Sequence, residues 1–327
     1  KPYFKGNGTI LIFHRVLPTL DYHNRISGNL ILEVSTEFLE SIILYFKKLD
    51  YEIISLDQLY ERLLHNSIEK PFVCFTFDDG YVDNYEIAYP VLKKHNIPFA
   101  IYVTTSFPDN TAILWWYILE DLVLKSKVIN LKYSNKEYSF PAENLEQKED
   151  TFNSIRNLIL ALPHRQIKNF IDVLFHEYDI SITTYNSLTM TWEQIVKLSN
   201  DPLVTIGAHT VNHLNLKQLS TEEVEQEIII SQKKIEIKTG KSVKHFAYPF
   251  GTRNEAGRRE FEIVKNCQFK TATTTRCANI FSAHQNHLEC LPRIPVLGFD
   301  QSLTTLEMML AGVLSLHHHG LHRVVTE

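Results

Sequence analysis

Two adjacent carboxylates, Asp78 and Asp79, stand in the stretch FTFDDGYVDNY (75–85), after an apolar run and before a glycine. Like charges that close raise each other's cost of ionising, so the pair calls for a neighbouring cation. A second cluster, GAHTVNHLNL (207–216), carries His209 and His213. A spacing of four on a helical turn would set both imidazoles on one side, able to share one metal ion. Two imidazoles and a carboxylate form a common catalytic zinc set that leaves a position open for water. A cation on Asp79 would let Asp78 stay ionised beside it, free to take a proton from that water. Each cluster alone has an ordinary explanation: Asp-Gly is a frequent turn dipeptide, and the chain contains 15 histidines.

The flanking segments show how the two clusters meet. TILIFH (9–14), FVCFTF (72–77), PFAIYVTT (98–105), LVTIGAH (203–209), HFAYPF (245–250) and FKTATTT (269–275) read as buried strands. Between them lie helical patterns: residues 36–49 behind a Thr36 cap, 84–96 with Pro90 at a start or kink, and a helix through Lys238. That last helix opens on a Ser220–Glu223 capping box and closes at Gly240. The rhythm is βαβ, so the sheet is expected to be parallel, and catalytic groups collect at the C-terminal ends of such strands. Both DDG and the histidine pair fall at strand ends. The region at about 109–188, with LWWYILEDLVL and a polar stretch, reads as an insertion on a barrel rim.

The chain of 327 residues is 44% apolar and 22% charged, ordinary for a globular protein, and its formal net charge of −5 argues against a nucleic-acid partner. No apolar run approaches bilayer-spanning length. No secretory signal is visible, although Lys1 is not a natural start and a removed leader is compatible with it. Cys74, Cys267, Cys277 and Cys290 lack CxxC spacing and read as free thiols, with a Cys277–Cys290 bridge as the alternative.

TFDDG (76–80), HTVNH (209–213) and YPFG (248–251), in that order, resemble the NodB-homology polysaccharide deacetylases, carbohydrate esterase family four. The opening ILIFHRV (10–16) resembles the first strand of longer bacterial members linked to surface polysaccharides. The resemblance covers about 72–106 and 188–298. It implies an α/β fold, a distorted (β/α) barrel of about seven strands with a helical insertion. It implies one deacetylase domain over 1–327: a strand-helix extension 1–70, a core 71–300 carrying the insertion, and a C-terminal helix and tail 301–327. The implied activity is hydrolysis of an N-acetyl group from an amino sugar in a bacterial glycan or glycolipid precursor. Carried over by position, Asp78 is the catalytic base, and Asp79, His209 and His213 bind a divalent ion, Zn2+ foremost with Co2+ or Ni2+ as alternatives. Tyr248, Pro249 and Phe250 wall the acetyl pocket, the Phe250 N–H facing the developing oxyanion; His14, ending the first strand, joins the substrate side.

The pattern also departs from the family. Ala247 stands where an arginine commonly orients the base, and Arg293 in CLPRIPV (290–296) is the substitute from a neighbouring strand end. TATTTRCAN (271–279) lacks the family's Asp-Trp pair, and no Leu-x-His supplies the general acid, for which His284, His287 and His14 are the candidates. Trp115 and Trp116 read as helix core or as a stacking surface for a sugar. Residues 303–316 read as an amphipathic helix packed on the barrel, peripheral membrane contact being the sharper alternative; His317–His319 are set aside as tail. The expected location is bacterial, cytoplasmic or membrane-associated, with export as the alternative, and no oligomeric state follows. Two other functions compete: a deformylase or amidase on a lipid-linked sugar, and a catalytically weak glycan-binding member of the fold.

Overall fold

The computed structural model describes residues 3–22 and 25–326. Its strands are β1 (Gly8–Phe13), β2 (Arg15–Leu17), β3 (Glu33–Ser35), β4 (Glu52–Ile53), β5 (Phe72–Phe77), β6 (Phe99–Val103), β7 (Val128–Tyr133), β8 (Lys136–Pro141), β9 (Val204–Ala208), β10 (His245–Ala247), β11 (Thr271–Thr273) and β12 (Ile294–Pro295). Seven of them make one parallel, curled sheet in the order β11-β10-β9-β6-β5-β1-β12, and β4 pairs with the start of β5. The ring is completed just ahead of β12, where Leu291 N–H donates to Ala272 C=O at 2.8 Å and Leu291 C=O accepts from Thr274 N–H at 2.9 Å. This is the distorted (β/α) barrel that the motifs imply.

The strands are buried on both faces, and their two-residue period sorts side chains into two layers. Val73, Phe75 and Phe77 of β5 turn outward and pack with Phe38, Ile42 and Phe46 of the helix Thr36–Lys48. Phe72 and Cys74 turn inward with Ile10, Ala100, Tyr102 and Leu291, joined by Leu59 and Leu63 of the helix Leu56–Leu64. The cap of helix Thr36–Lys48 is Ser35, not Thr36: the Ser35 Oγ accepts from Phe38 N–H, so the expected cap lies one residue inside. Helix Thr221–Thr239 starts on the Ser220–Glu223 capping box and stops at left-handed Gly240, φ 69°. Pro90 sits in the first turn of Tyr89–Lys94, after a π-turn at Asn84–Ala88.

Residues 109–188 hold the β7–β8 hairpin and the helices Trp115–Lys125, Leu145–Ala161 and His164–Glu177, which share an apolar cluster including Ile118, Phe152, Ile155 and Phe170. Buried charges tie this unit to the barrel. Arg25 bridges Glu33 of β3 (2.7 Å) and Glu120 of the insertion (2.8 Å), and Tyr117 Oη of the insertion donates to Glu33 Oε1 at 3.2 Å.

Residues 303–316 form two helices, Leu303–Leu310 and Val313–His319, instead of the single amphipathic helix expected. Gly312 breaks them at φ 85°, where an added Cβ would lie 2.1 Å from Phe4. Leu306, Met309 and Leu310 pack into the core. Among the described residues no helix is long and apolar enough to cross a membrane. Among the described residues no disulfide forms, so the Cys277–Cys290 alternative falls.

His284 lies buried under the C-terminal segment, its Nε2 3.4 Å from Val325 C=O, and burial pushes its pKa down to about 4. In the unfolded chain this imidazole titrates near its ordinary value of about 6.5. The unfolded state therefore binds the extra proton between those values, and folding stability falls as pH drops through that window. Urea unfolding from pH 7 to pH 4 is expected to show a loss reduced by on the order of 2 kcal/mol in His284→Gln. Parallel curves for the two proteins would contradict this.

Candidate active site

The alternation that fills the barrel also delivers Asp78. Phe72 and Cys74 face the lumen, and Thr76 and Asp78 follow by the same period, bringing the Asp78 carboxylate to the C-terminal mouth. By that period Asp79 would face away. Its left-handed backbone, φ 75°, followed by Gly80 at φ 90°, turns the chain so that both carboxylates line one cavity.

Leu291 faces the lumen, so Arg293 does too. Its guanidinium takes Asp78 in a two-pronged grip, Nη1 to Oδ1 and Nη2 to Oδ2, both at 2.7 Å. Nε donates to Thr274 C=O at 2.9 Å, Nη1 also to Thr76 Oγ1 at 3.2 Å, and the group lies 5.6 Å over the Tyr102 ring. Arg293 is 0% exposed and Asp78 2%. Burial pushes the Asp78 carboxyl up, but the Arg293 charge and hydrogen bonds pull it down further, and it rests below the usual carboxylate range.

His209 and His213 do come together, but not on a helix. Residues 209–213 form a bend, with Thr210 (φ 64°) and His213 (φ 53°) left-handed, which brings the rings to 5.0 Å. Thr210 is β-branched, and left-handed backbone is rare for such residues, costing on the order of 1–3 kcal/mol. The surroundings hold it. Thr104 Oγ1 donates to His209 C=O at 3.0 Å. Buried Glu227 of helix Thr221–Thr239 accepts from the N–H groups of Val211 (2.9 Å) and Asn212 (2.8 Å).

Asp79 Oδ1 lies 3.4 Å from His209 Nε2 and 3.3 Å from His213 Nε2, and the three donor atoms fall within 4.8 Å of one another. No donor is aligned on this buried oxygen. His209 Nδ1 donates to Ala247 C=O at 2.7 Å, which leaves the lone pair of the neutral ring on Nε2, aimed at Asp79. An orphaned carboxylate oxygen with two imidazole nitrogens turned towards it is the donor set a divalent cation takes. Burial raises Asp79, but His213 and His209 hold it well below the usual range; burial lowers His209, and Asp79 with Asp78 raises it further than that.

The cavity, about 260 Å3, is lined by Asp78, Asp79, His209, His213, His14 and Phe250. Trp115, Trp116, Phe152 and Arg156 of the insertion also line it. Trp115 and Trp116 thus serve both core and wall, Trp116 Nε1 donating to Tyr81 Oη at 3.2 Å. Tyr248 is not among the lining side chains, which corrects the expectation that it touches substrate. It is fully buried against Phe246 and Phe261, its hydroxyl donating to Glu289 C=O at 2.7 Å. Pro249 is buried in the turn beneath Phe250 and does not line the cavity either. His284 packs under the C-terminal segment, and His287 sits 4.0 Å from Glu289; of the three proton-donor candidates only His14 reaches the cavity.

The profile of the family described as polysaccharide deacetylase matches residues 65–157 and 161–271. The chain belongs to the polysaccharide deacetylase family. Over 90 residues it is 37% identical to the protein YxkH of Bacillus subtilis (strain 168), a stretch covering 27% of this chain and 31% of that relative. Deacetylase PplD of Streptococcus pyogenes has the same fold, with a TM-score of 0.61 at 19% identity over 92% of this chain and 97% of its own. IcaB of Ammonifex degensii gives 0.58 at 17% identity over 93% and 95%. At such identities these two likenesses show the fold.

Sequence reasoning passed over two residues that shape the site. Glu227 was legible as an acid between Val224 and Ile228 on the inward stripe of its helix. Arg156 carried no local signal, because only the insertion's packing aims it at the barrel mouth. For the clamp, breaking a buried pair from one side typically costs about 3–5 kcal/mol, since the surviving charge is left unpaired. Arg293→Met is therefore expected to destabilise by about that amount in urea unfolding, and Arg293→Met/Asp78→Asn by less than the two single changes summed. Additive losses would show that the two groups are not coupled.

Proposed function

We propose that the protein is a metal-dependent N-deacetylase of an acetylated amino sugar in a bacterial glycan or glycolipid. The observation that carries this reading is the separate neutralisation of two adjacent carboxylates in one cavity. Asp78 is paired with Arg293 and keeps its outward face, while Asp79 is turned to two imidazoles. The family supports it, as does the capture of the structurally similar PplD in complex with acetate. Asp79, His209 and His213 would hold the cation, Zn2+ foremost with Co2+ and Ni2+ as alternatives. When bound, such an ion polarises the amide carbonyl and lowers the pKa of water.

The chain's own groups then act as follows. Asp78, ionised and fixed by Arg293, takes the proton of the water that attacks the acetamide carbon. Phe250 is left-handed, φ 58°, and among the described residues its N–H makes no hydrogen bond, leaving it free to donate to the developing oxyanion. The departing nitrogen must gain a proton, because an amide anion is too basic to leave. Asp78 carries the proton it has taken, and His14, in the same cavity and held neutral by burial, is the second group able to pass one on.

N-acetylglucosamine oligomers incubated with the protein and Zn2+ or Co2+ are expected to release acetate, and a chelator to stop the release. Asp78→Asn is expected to lower the rate by about 10²–10⁴-fold while elemental analysis still finds the cation. His213→Ala is expected to lose the cation itself. Acetate release indifferent to chelation, or undiminished in Asp78→Asn, would overturn the reading.

A further inference from the structure

Among the described residues, Arg156 is the only arginine or lysine lining the cavity that holds Asp78 and Asp79. No hydrogen bond or ion pair within 4.0 Å reaches its guanidinium among those residues. Arg293, buried directly beneath, has its donors engaged by Asp78, Thr76 and Thr274. Glu255 lines the same cavity, its Oε2 accepting from Thr252 N–H at 3.2 Å. A half-buried cation without a partner is unfavourable, and burial lowers its pKa, with only the Glu255 charge acting in the other direction.

The helix that carries this side chain, Leu145–Ala161, is held in place where Glu149 accepts from Ser27 N–H (2.7 Å) and Oγ (2.8 Å), and where Thr151 Oγ1 donates to Pro141 C=O (2.6 Å). Lys148 Nζ donates to Val123, Leu124 and Ser126 carbonyls within 2.9 Å. Phe152, one turn before Arg156, lines the same cavity and packs in the insertion's core. A guanidinium is a planar fork suited to two-pronged binding of a carboxylate or a phosphate.

We propose that Arg156 is a specificity residue that binds an oxyanion, carboxylate or phosphate, borne by the substrate beside its acetylated amino sugar. This rests on the deacetylase reading for the nature of the ligand, but binding can be measured without turnover. The probes are three acetamido-sugar oligomers of equal length: one neutral, one with a carboxylate on the neighbouring sugar, one with a phosphodiester at that place. Calorimetric affinities at fixed salt are expected to favour at least one anionic oligomer by roughly tenfold over the neutral one. Which oligomer wins distinguishes the carboxylate from the phosphate source. In Arg156→Gln the ratio is expected to fall to about one, and in Arg156→Lys to an intermediate value; melting curves matching wild type exclude a folding defect. Equal affinities for all three oligomers, or a preference that survives in a folded Arg156→Gln, would overturn the inference while leaving acetate release intact. An Arg156-dependent preference without acetate release would sustain it and sink the deacetylase reading instead.

Discussion

The site depends on one buried ion pair. Two carboxylates side by side at the mouth of a barrel cannot both be ionised out of water unless each has its own partner. The fold supplies these from opposite directions. Arg293 rises through the lumen, bonded to Thr274 and Thr76, and meets Asp78 from below. Two imidazoles from the loop after β9 meet Asp79 from the side. The same charge on neighbouring residues thereby takes two surroundings, a guanidinium clamp and a pair of imidazoles.

Regular structure and strained structure share the work. Strand parity brings Thr76, Asp78 and Arg293 into the lumen without local distortion. Left-handed backbone at Asp79, Thr210, His213 and Phe250 does what parity cannot, turning consecutive residues towards one point. Such conformations persist only where their surroundings overdetermine them. Glu227 does so for the histidine loop, binding two of its backbone N–H groups. The insertion roofs the result, moored to β3 by the Arg25–Glu33–Glu120 chain.

Much of this was legible in the chain. Buried β runs separated by capped helices announce a parallel sheet, the barrel came with the family resemblance, and an acid pair or a histidine pair at a strand end is conspicuous. What escaped depends on register and on three-dimensional closure. HTVNH has a helical spacing, yet its residues follow a bend, because the Glu227 and Thr104 contacts outweigh local preference. Tyr248 stands two residues before Phe250, where the strand period would put both on one face, but the left-handed backbone at Phe250 (φ 58°) turns that residue to the cavity and leaves Tyr248 in the core. Arg293 was read as the residue filling the vacancy at Ala247, but its two-pronged contact with Asp78 was not, since that geometry is fixed by the pairing of β12 with β1. Gly312 looked like part of a helical pattern, but the Phe4 Cβ occupies the space beside it.

The barrel is sealed by its last strand, and Arg293 travels with that strand. Asp78 and Arg293 lie 215 positions apart. The chain emerges from its N-terminal side during synthesis, so the acid pair appears long before Arg293. Until residues 291–295 dock, the barrel mouth would expose two unreconciled negative charges and an open sheet edge. Competence for chemistry and completion of the ring are therefore a single event, and a partly assembled molecule would be inert as well as loose.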